Sequence, residues 1–409
     1  MAITAKRCAC RLVLEQQHKF FRQLARSCYL KVKEEFKNLD YETESEYTFK
    51  YSDLQTTLCD PSQLRQKPEV ADLKFGHIFT DHMFKVSYHK DLGGWQKPHV
   101  GPFENIELHP AAKVLHYAIE LFEGMKAYRG ADGRIRVFRP DLNMHRMNNS
   151  AESAGLPTFD GNELIKCINR LIVVDQEWVP HYESSSLYIR PTLIGTDGTL
   201  GVMSSNSALL YTILCPVGHY FGGAVRLFAD PAFTRAWPGG CGDRKMGANY
   251  GPTIRVNQMA QRHGCQQTLW LYGKEQQITE AGTMNIFLFY VNELGERVLA
   301  TPPLNGLILP GIIRQSVIEI CEEWGDFRIE ERPVTMDEMI KLVRKNRLLE
   351  MFGTGTACTI CPVDSIYYKG QLIRIPTVEQ KLPLFVKIRK RLLAIQYGHI
   401  EHPWAVPIE

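Results

Sequence analysis

Two stretches in which short apolar runs alternate with amphipathic segments are joined by the connector Pro216-Val217-Gly218-His219-Tyr220-Phe221-Gly222-Gly223. That arrangement limits the possible folds more than any other feature of the chain. The runs at 187–194 and 208–215 are predominantly apolar and short enough to be buried strands. Segments 122–128 and 135–138 read as strands flanking a turn at 130–133. A helix is expected from Pro140 and Asp141, carrying His145 and Arg146. A second opens at Asp160, where Glu163 three residues on completes a capping-box pattern. Its Leu164, Ile165, Ile168, Leu171 and Ile172 fall on one helical face. Beyond the connector, helices are predicted at about 250–264, 311–324 and 336–345, and around Leu384, Ile388 and Leu392. Strands are predicted at 268–272, at 286–291 and between 349 and 375. The whole reads as an α/β (α+β) protein of two unequal domains with a cleft between them. The divisions are an N-terminal extension at 1–66, a smaller domain at 67–217, a connector at 218–226 and a larger domain at 227–409.

Charge and cysteine content narrow the function. A net charge of +3 over 409 residues gives no reason to expect a nucleic-acid partner. No run approaches the roughly 20 apolar residues that span a bilayer, so no membrane partner is expected. The 11 cysteines are scattered, unlike a secreted disulfide framework. No second Cys or His pair stands at ligand spacing beside Cys358-Thr359-Ile360-Cys361, so no metal is expected. The first thirty-odd residues set Lys6, Arg7, Arg11, Lys19, Arg22, Arg26 and Lys31 against the single acid Glu15. This is the composition of a mitochondrial transit peptide, although serine is scarce. A basic tail on a cytoplasmic protein is the alternative.

Four segments have the residue types for chemistry. In Gly242-Asp243-Arg244-Lys245-Met246-Gly247, a lysine sits among glycines, with Tyr250 five residues on. Drawn into a partly dry site, its amine loses its proton more readily and can condense with an aldehyde. Taken alone, the segment reads first as an exposed lysine on a glycine loop. Glu280 directly precedes an apolar strand; if buried, it needs a cation, and a protonated pyridine nitrogen would serve. Pro310 fits the first turn of a helix, leaving the N–H groups of Gly311, Ile312 and Ile313 free to bind phosphate. The run Gly353-Thr354-Gly355-Thr356-Ala357-Cys358 could close over a second side of that phosphate. The last three, taken alone, read equally well as an ordinary turn, an ordinary helix start and an ordinary loop.

Together with Phe122-Glu123-Gly124-Met125-Lys126-Ala127-Tyr128, Ser186-Leu187-Tyr188-Ile189-Arg190-Pro191 and Thr279-Glu280-Ala281-Gly282-Thr283-Met284-Asn285, these segments resemble the branched-chain amino acid aminotransferases of animals. That family has the two-domain fold type IV of pyridoxal 5′-phosphate (PLP) enzymes, with the cofactor in the interdomain cleft. The resemblance implies that Lys245 holds PLP and shuttles a proton, that Glu280 meets the pyridine nitrogen and that Tyr250 bonds the ring oxygen. It implies phosphate contacts from Arg146, Ile312, Ile313 and Thr356, and substrate contacts from Phe75, Tyr117, Tyr188 and Thr283. Arg190 would accept the distal carboxylate of glutamate, and Thr356 and Ala357 the α-carboxylate. The expected substrates are leucine, isoleucine and valine with 2-oxoglutarate, giving branched-chain 2-oxo acids and L-glutamate. A homodimer is also implied. Cys358 and Cys361 resemble a redox pair of mammalian members, although two buried structural cysteines fit as well. Arg244 departs from the family pattern, in which Cys or Tyr is usual. Ala248 stands where many members have Gly, and the connector is short.

Overall fold

The computed structural model describes residues 48–183, 185–218 and 223–408. The transit-peptide reading therefore lies outside the described residues, as does the centre of the connector. Seven α-helices occur among the described residues: α1 (Lys113–Tyr117), α2 (Pro140–Ser153), α3 (Gly161–Val174), α4 (Thr253–Arg262), α5 (Ile312–Trp324), α6 (Met336–Arg344) and α7 (Leu384–Gln396). None is long and apolar enough to cross a membrane.

The strands form two sheets of ten. The first is antiparallel apart from one short parallel pair, and its longest strands are His82–His89, Ser186–Gly195 and Ser207–Val217. α2 and α3 cover one of its faces, where Leu164, Cys167, Ile168, Leu171 and Ile172 are buried against Phe84, Leu121 and Leu187. The helical spacing read from the sequence is thus the packed stripe of α3, and each such side chain contributes roughly 1.5–3 kcal/mol.

The second sheet closes on itself. Met284–Val291 pairs with Leu348–Gly355, and pairing then runs through Thr359–Tyr368, Val225–Ala229, Gln267–Tyr272 and Gln277–Ala281 back to Met284–Val291. The result is a six-stranded barrel. Alternation along Met284–Val291 sorts its side chains by face. Ile286 and Leu288 enter the barrel, whereas Phe287 and Phe289 lie outside against α5 and α7. That outer cluster also contains Tyr128 and Phe138 of the first sheet, which joins the two cores.

Four local expectations change. The capping box at Asp160 is half formed: its carboxylate accepts from Asn162 N, but Glu163 turns to Tyr51 N at 2.5 Å and to Lys166. Thr48 Oγ satisfies the Asp160 N–H instead. This happens because the chain from Thr48 packs on the first sheet, with Phe49 buried and Gln55–Thr56 paired as a strand. The segment 48–66, read as part of an extension, thus belongs to the packed structure. Segment 122–128 is not one strand but two, Glu120–Phe122 and Met125–Arg129. Glu123 leaves the ladder to meet Arg146, and a side chain on Gly124 would come within 2.2 Å of Tyr188 Oη. Finally, Ala405–Pro407 returns to the first sheet beside Ile135–Phe138.

Candidate active site

A cavity of about 240 Å³ opens where the first sheet, α2, the barrel and the start of α5 converge. Lys245 lies on its wall. Its loop is pinned from beneath by Asn249, whose Nδ2 donates to Cys241 O and Arg244 O, each at 2.7 Å. Ser150 of α2 accepts from Lys245 N at 3.0 Å, and Lys245 O accepts from Phe122 N at 3.1 Å. With the backbone held on both sides, the half-buried side chain reaches across the cavity. Nζ donates to Tyr250 Oη at 3.1 Å and lies 4.9 Å from the Phe122 ring centre. No carboxylate is paired with it among the described residues. Arg244 is directed away, to Ser153 and Asp243, so its charge stays off the lysine side.

Glu280 is buried across the cavity. Its carboxylate accepts from Leu309 N at 3.1 Å and Asn285 Nδ2 at 3.2 Å, and pairs with Arg235 Nη2 at 2.7 Å. Burial raises its carboxyl above the usual range, with Arg235 the main opposing charge. Arg235 is a functional neighbour that the sequence reading missed. It stands ten residues before Lys245 in an unremarkable loop, and only the need of a buried Glu280 for a cation could have pointed to it.

The first turn of α5 faces the same space. Its N-cap, Gly311, has no side chain to satisfy the free amides, and Ile312 and Ile313 line the cavity. Glycine is required there because a Cβ would come within 1.9 Å of Asn285 Oδ1. Arg146 enters from α2, where Glu123 grips it bidentately at 2.6 and 2.7 Å and Pro310 O accepts at 3.0 Å. The guanidinium holds the buried Glu123 carboxyl below its ordinary range despite desolvation. Removing one partner of so buried a pair strands the other charge, so Glu123→Ala is expected to cost about 3–5 kcal/mol in urea unfolding of the cofactor-free protein. A loss under about 1 kcal/mol would show that water reaches the site.

On the side of the first sheet, Arg190 Nη2 donates to Tyr188 Oη at 3.0 Å, and Phe75 meets the Tyr188 ring edge-on at 4.8 Å. Thr283, Thr356 and Ala357 complete this end. Two buried polar atoms on the wall, Arg190 Nε and Thr354 Oγ1, have no hydrogen-bond partner. The structure thus gathers Lys245, Arg146, Tyr250, Glu280, Ile312, Ile313, Thr356, Phe75, Tyr188, Arg190, Thr283 and Ala357 around one cavity. It does not bring Tyr117 there. That phenol donates to Leu200 O, and the fully buried Lys113 of the same helix donates to Met203 O and Ser204 O, so α1 holds segment 197–204. Cys358 lines the cavity, whereas Cys361 points into the barrel core; both thiols are free, and burial pushes them up to about 11 and about 12. Thiols so shifted are poor nucleophiles at neutral pH.

Comparison with known proteins agrees with the geometry. Residues 120–366 match the family model described as amino-transferase class IV. The cytosolic branched-chain-amino-acid aminotransferase of Mus musculus is 53% identical over 365 residues, 88% of this chain and 94% of that protein. The mitochondrial one of Rattus norvegicus is 50% identical over 364 residues, 88% and 92% of the two chains. The solved branched-chain amino acid aminotransferase of Escherichia coli superposes with a TM-score of 0.63 at 25% identity, covering 80% of this chain and 99% of that one. Fold and cavity together are those of a class IV amino-transferase. Within that class, the chain belongs to the branched-chain-amino-acid aminotransferase family.

Proposed function

We propose that this chain transfers the amino group of leucine, isoleucine or valine to 2-oxoglutarate with PLP, yielding the branched-chain 2-oxo acid and L-glutamate. The observation carrying this reading is the convergence on one cavity of a lysine amine with no carboxylate partner among the described residues, a buried carboxylate and a bare helix N-terminus. The residues present fit the cofactor. The α5 amides at Ile312 and Ile313, with Arg146 and Thr356, suit its phosphate, and the orphaned Thr354 hydroxyl and Arg190 Nε leave polar capacity for bound groups. Glu280 suits its ring nitrogen, and Tyr250 its ring oxygen. When bound, PLP supplies an aldehyde that exchanges amines and a ring that draws electrons from the substrate α-carbon.

The protein's own part is positioning and proton transfer. Tyr250 Oη orients Lys245 Nζ, which takes the proton from the α-carbon once freed as an amine. Glu280, whose anionic form Arg235 favours against the effect of burial, would hold a proton on the ring nitrogen of the bound cofactor and keep the ring electron-poor. The aromatic wall of Phe75, Phe122 and Tyr188 takes an aliphatic side chain, and Arg190 at its edge takes the second carboxylate of glutamate. A single pocket thereby serves both half-reactions.

D-amino acid transamination would use the same lysine and glutamate. Assays against 2-oxoglutarate are expected to show turnover of L-leucine, L-valine and L-isoleucine and little of D-alanine. Strong D-alanine turnover without L-leucine turnover would end this reading.

A homodimer is supported by the exposed Leu115, Tyr117, Leu200, Val202 and Met203, which cluster around α1 and segment 197–204. A monomeric mass in sedimentation would count against it. Cytosolic and mitochondrial relatives match about equally. The basic, acid-poor N-terminus supports a mitochondrial location, and a fluorescent fusion of that segment that stays in the cytosol would refute it.

A further inference from the structure

The connection at 356–358 separates two cavities. Ala357 and Cys358 line the site cavity on one side and a larger one, about 640 Å³, on the other. Lys126, on the strand Met125–Arg129, lines the larger cavity and not the site cavity, and is 8% exposed. Its Nζ donates to Ala357 O at 2.9 Å, linking the first sheet to a barrel loop 231 positions away in sequence. No carboxylate is paired with it among the described residues.

Burying an ammonium costs several kcal/mol, and one carbonyl offsets little of that. A neutral donor could brace the loop at lower cost, so the charge itself needs a reason. The two titratable groups that act on it are the thiols of Cys358 and Cys215, both raised by burial and therefore protonated at neutral pH. Burial brings Lys126 down to about 8, which leaves most of it cationic at pH 7. The peptide is planar and trans, so an Ala357 carbonyl turned toward Lys126 turns the Cys358 N–H to the opposite side. The cation thus stands on the carbonyl side of the peptide that joins Ala357 to Cys358, where its field favours an anion held by the loop.

We infer that Lys126 is a positioning residue whose buried charge, acting through the Ala357 carbonyl, makes the 356–358 loop a receptor for the α-carboxylate of amino- and oxo-acid substrates. This rests on the transaminase reading given above. It predicts a charge-selective defect, unlike the uniform one that loss of packing would cause.

The test uses the PLP-loaded protein and two unreactive probes of one shape, 4-methylpentanoate and 4-methylpentanamide. Lys126→Gln keeps length and a donor but loses the charge. It is expected to weaken the carboxylate roughly tenfold, as for a charge-assisted contact, and to leave the amide unchanged. KM for leucine should rise more than kcat falls. Lys126→Arg should keep the preference for the carboxylate, and this holds as a test even if Lys126→Gln does not fold. Equal affinity for the carboxylate in wild type and Lys126→Gln overturns the inference, as does equal weakening of both probes or loss of the preference in a folded Lys126→Arg. If the wild type itself binds neither probe, the site reading fails instead.

Discussion

Lys245→Ala is expected to remove transaminase activity while leaving the fold intact. Nζ touches the Tyr250 hydroxyl and the Phe122 ring, and the contacts that hold the loop are made by the backbone of Lys245 and by Asn249. Truncation therefore removes a reacting amine without stranding a buried ion, and unfolding free energy should change by less than about 1 kcal/mol. Turnover should fall by at least the roughly 10²–10⁴ that a positioned acid–base group contributes. Near-normal turnover in this variant would refute the assignment. Loss of folding would show that the amine supports the core.

Glu280→Ala should lower turnover by roughly 10²–10³, the size of effect seen when one preorganised charge partner is removed, with PLP still bound. Phosphate and lysine contacts come from other elements, so retention of the cofactor does not depend on this carboxylate. Glu280→Gln separates charge from shape. It can keep the contacts to Leu309 N and Arg235 in neutral form, and its rate should resemble that of Ala. An unchanged rate in either variant would mean that the ring nitrogen has another partner. The structure names the condition for the effect, since Arg235 at 2.7 Å opposes the burial that raises the Glu280 carboxyl.

Much of this was readable from the chain because the relevant signals are local. The stripe on α3, the proline and glycine before α5 and the short apolar runs each declare an element within a dozen residues. The lysine, glutamate and helix start could be named as chemical candidates for the same reason. What escaped reading depends on contacts between distant segments. Barrel closure joins Met284–Val291 to both Gln277–Ala281 and Leu348–Gly355, and no local pattern encodes that ring. Arg235 and Lys113 have ordinary surroundings in sequence, and Lys126 stands in a motif that gives no sign of its partner; each becomes a largely buried cation only once groups from elsewhere arrive. The Glu163 cap failed because Tyr51 reached it first, from a segment whose polar composition suggested no packing. Tyr117, expected with the substrate from a motif match, does not line this chain's cavity, and its phenol donates to Leu200 O in segment 197–204.

The most direct test locates the bond between protein and cofactor. The purified protein, loaded with PLP, is reduced with borohydride, digested and mapped by mass spectrometry. A pyridoxyl mass on Lys245 is the expected result; finding it on another lysine, such as the buried Lys126, or on none, would contradict the assignment.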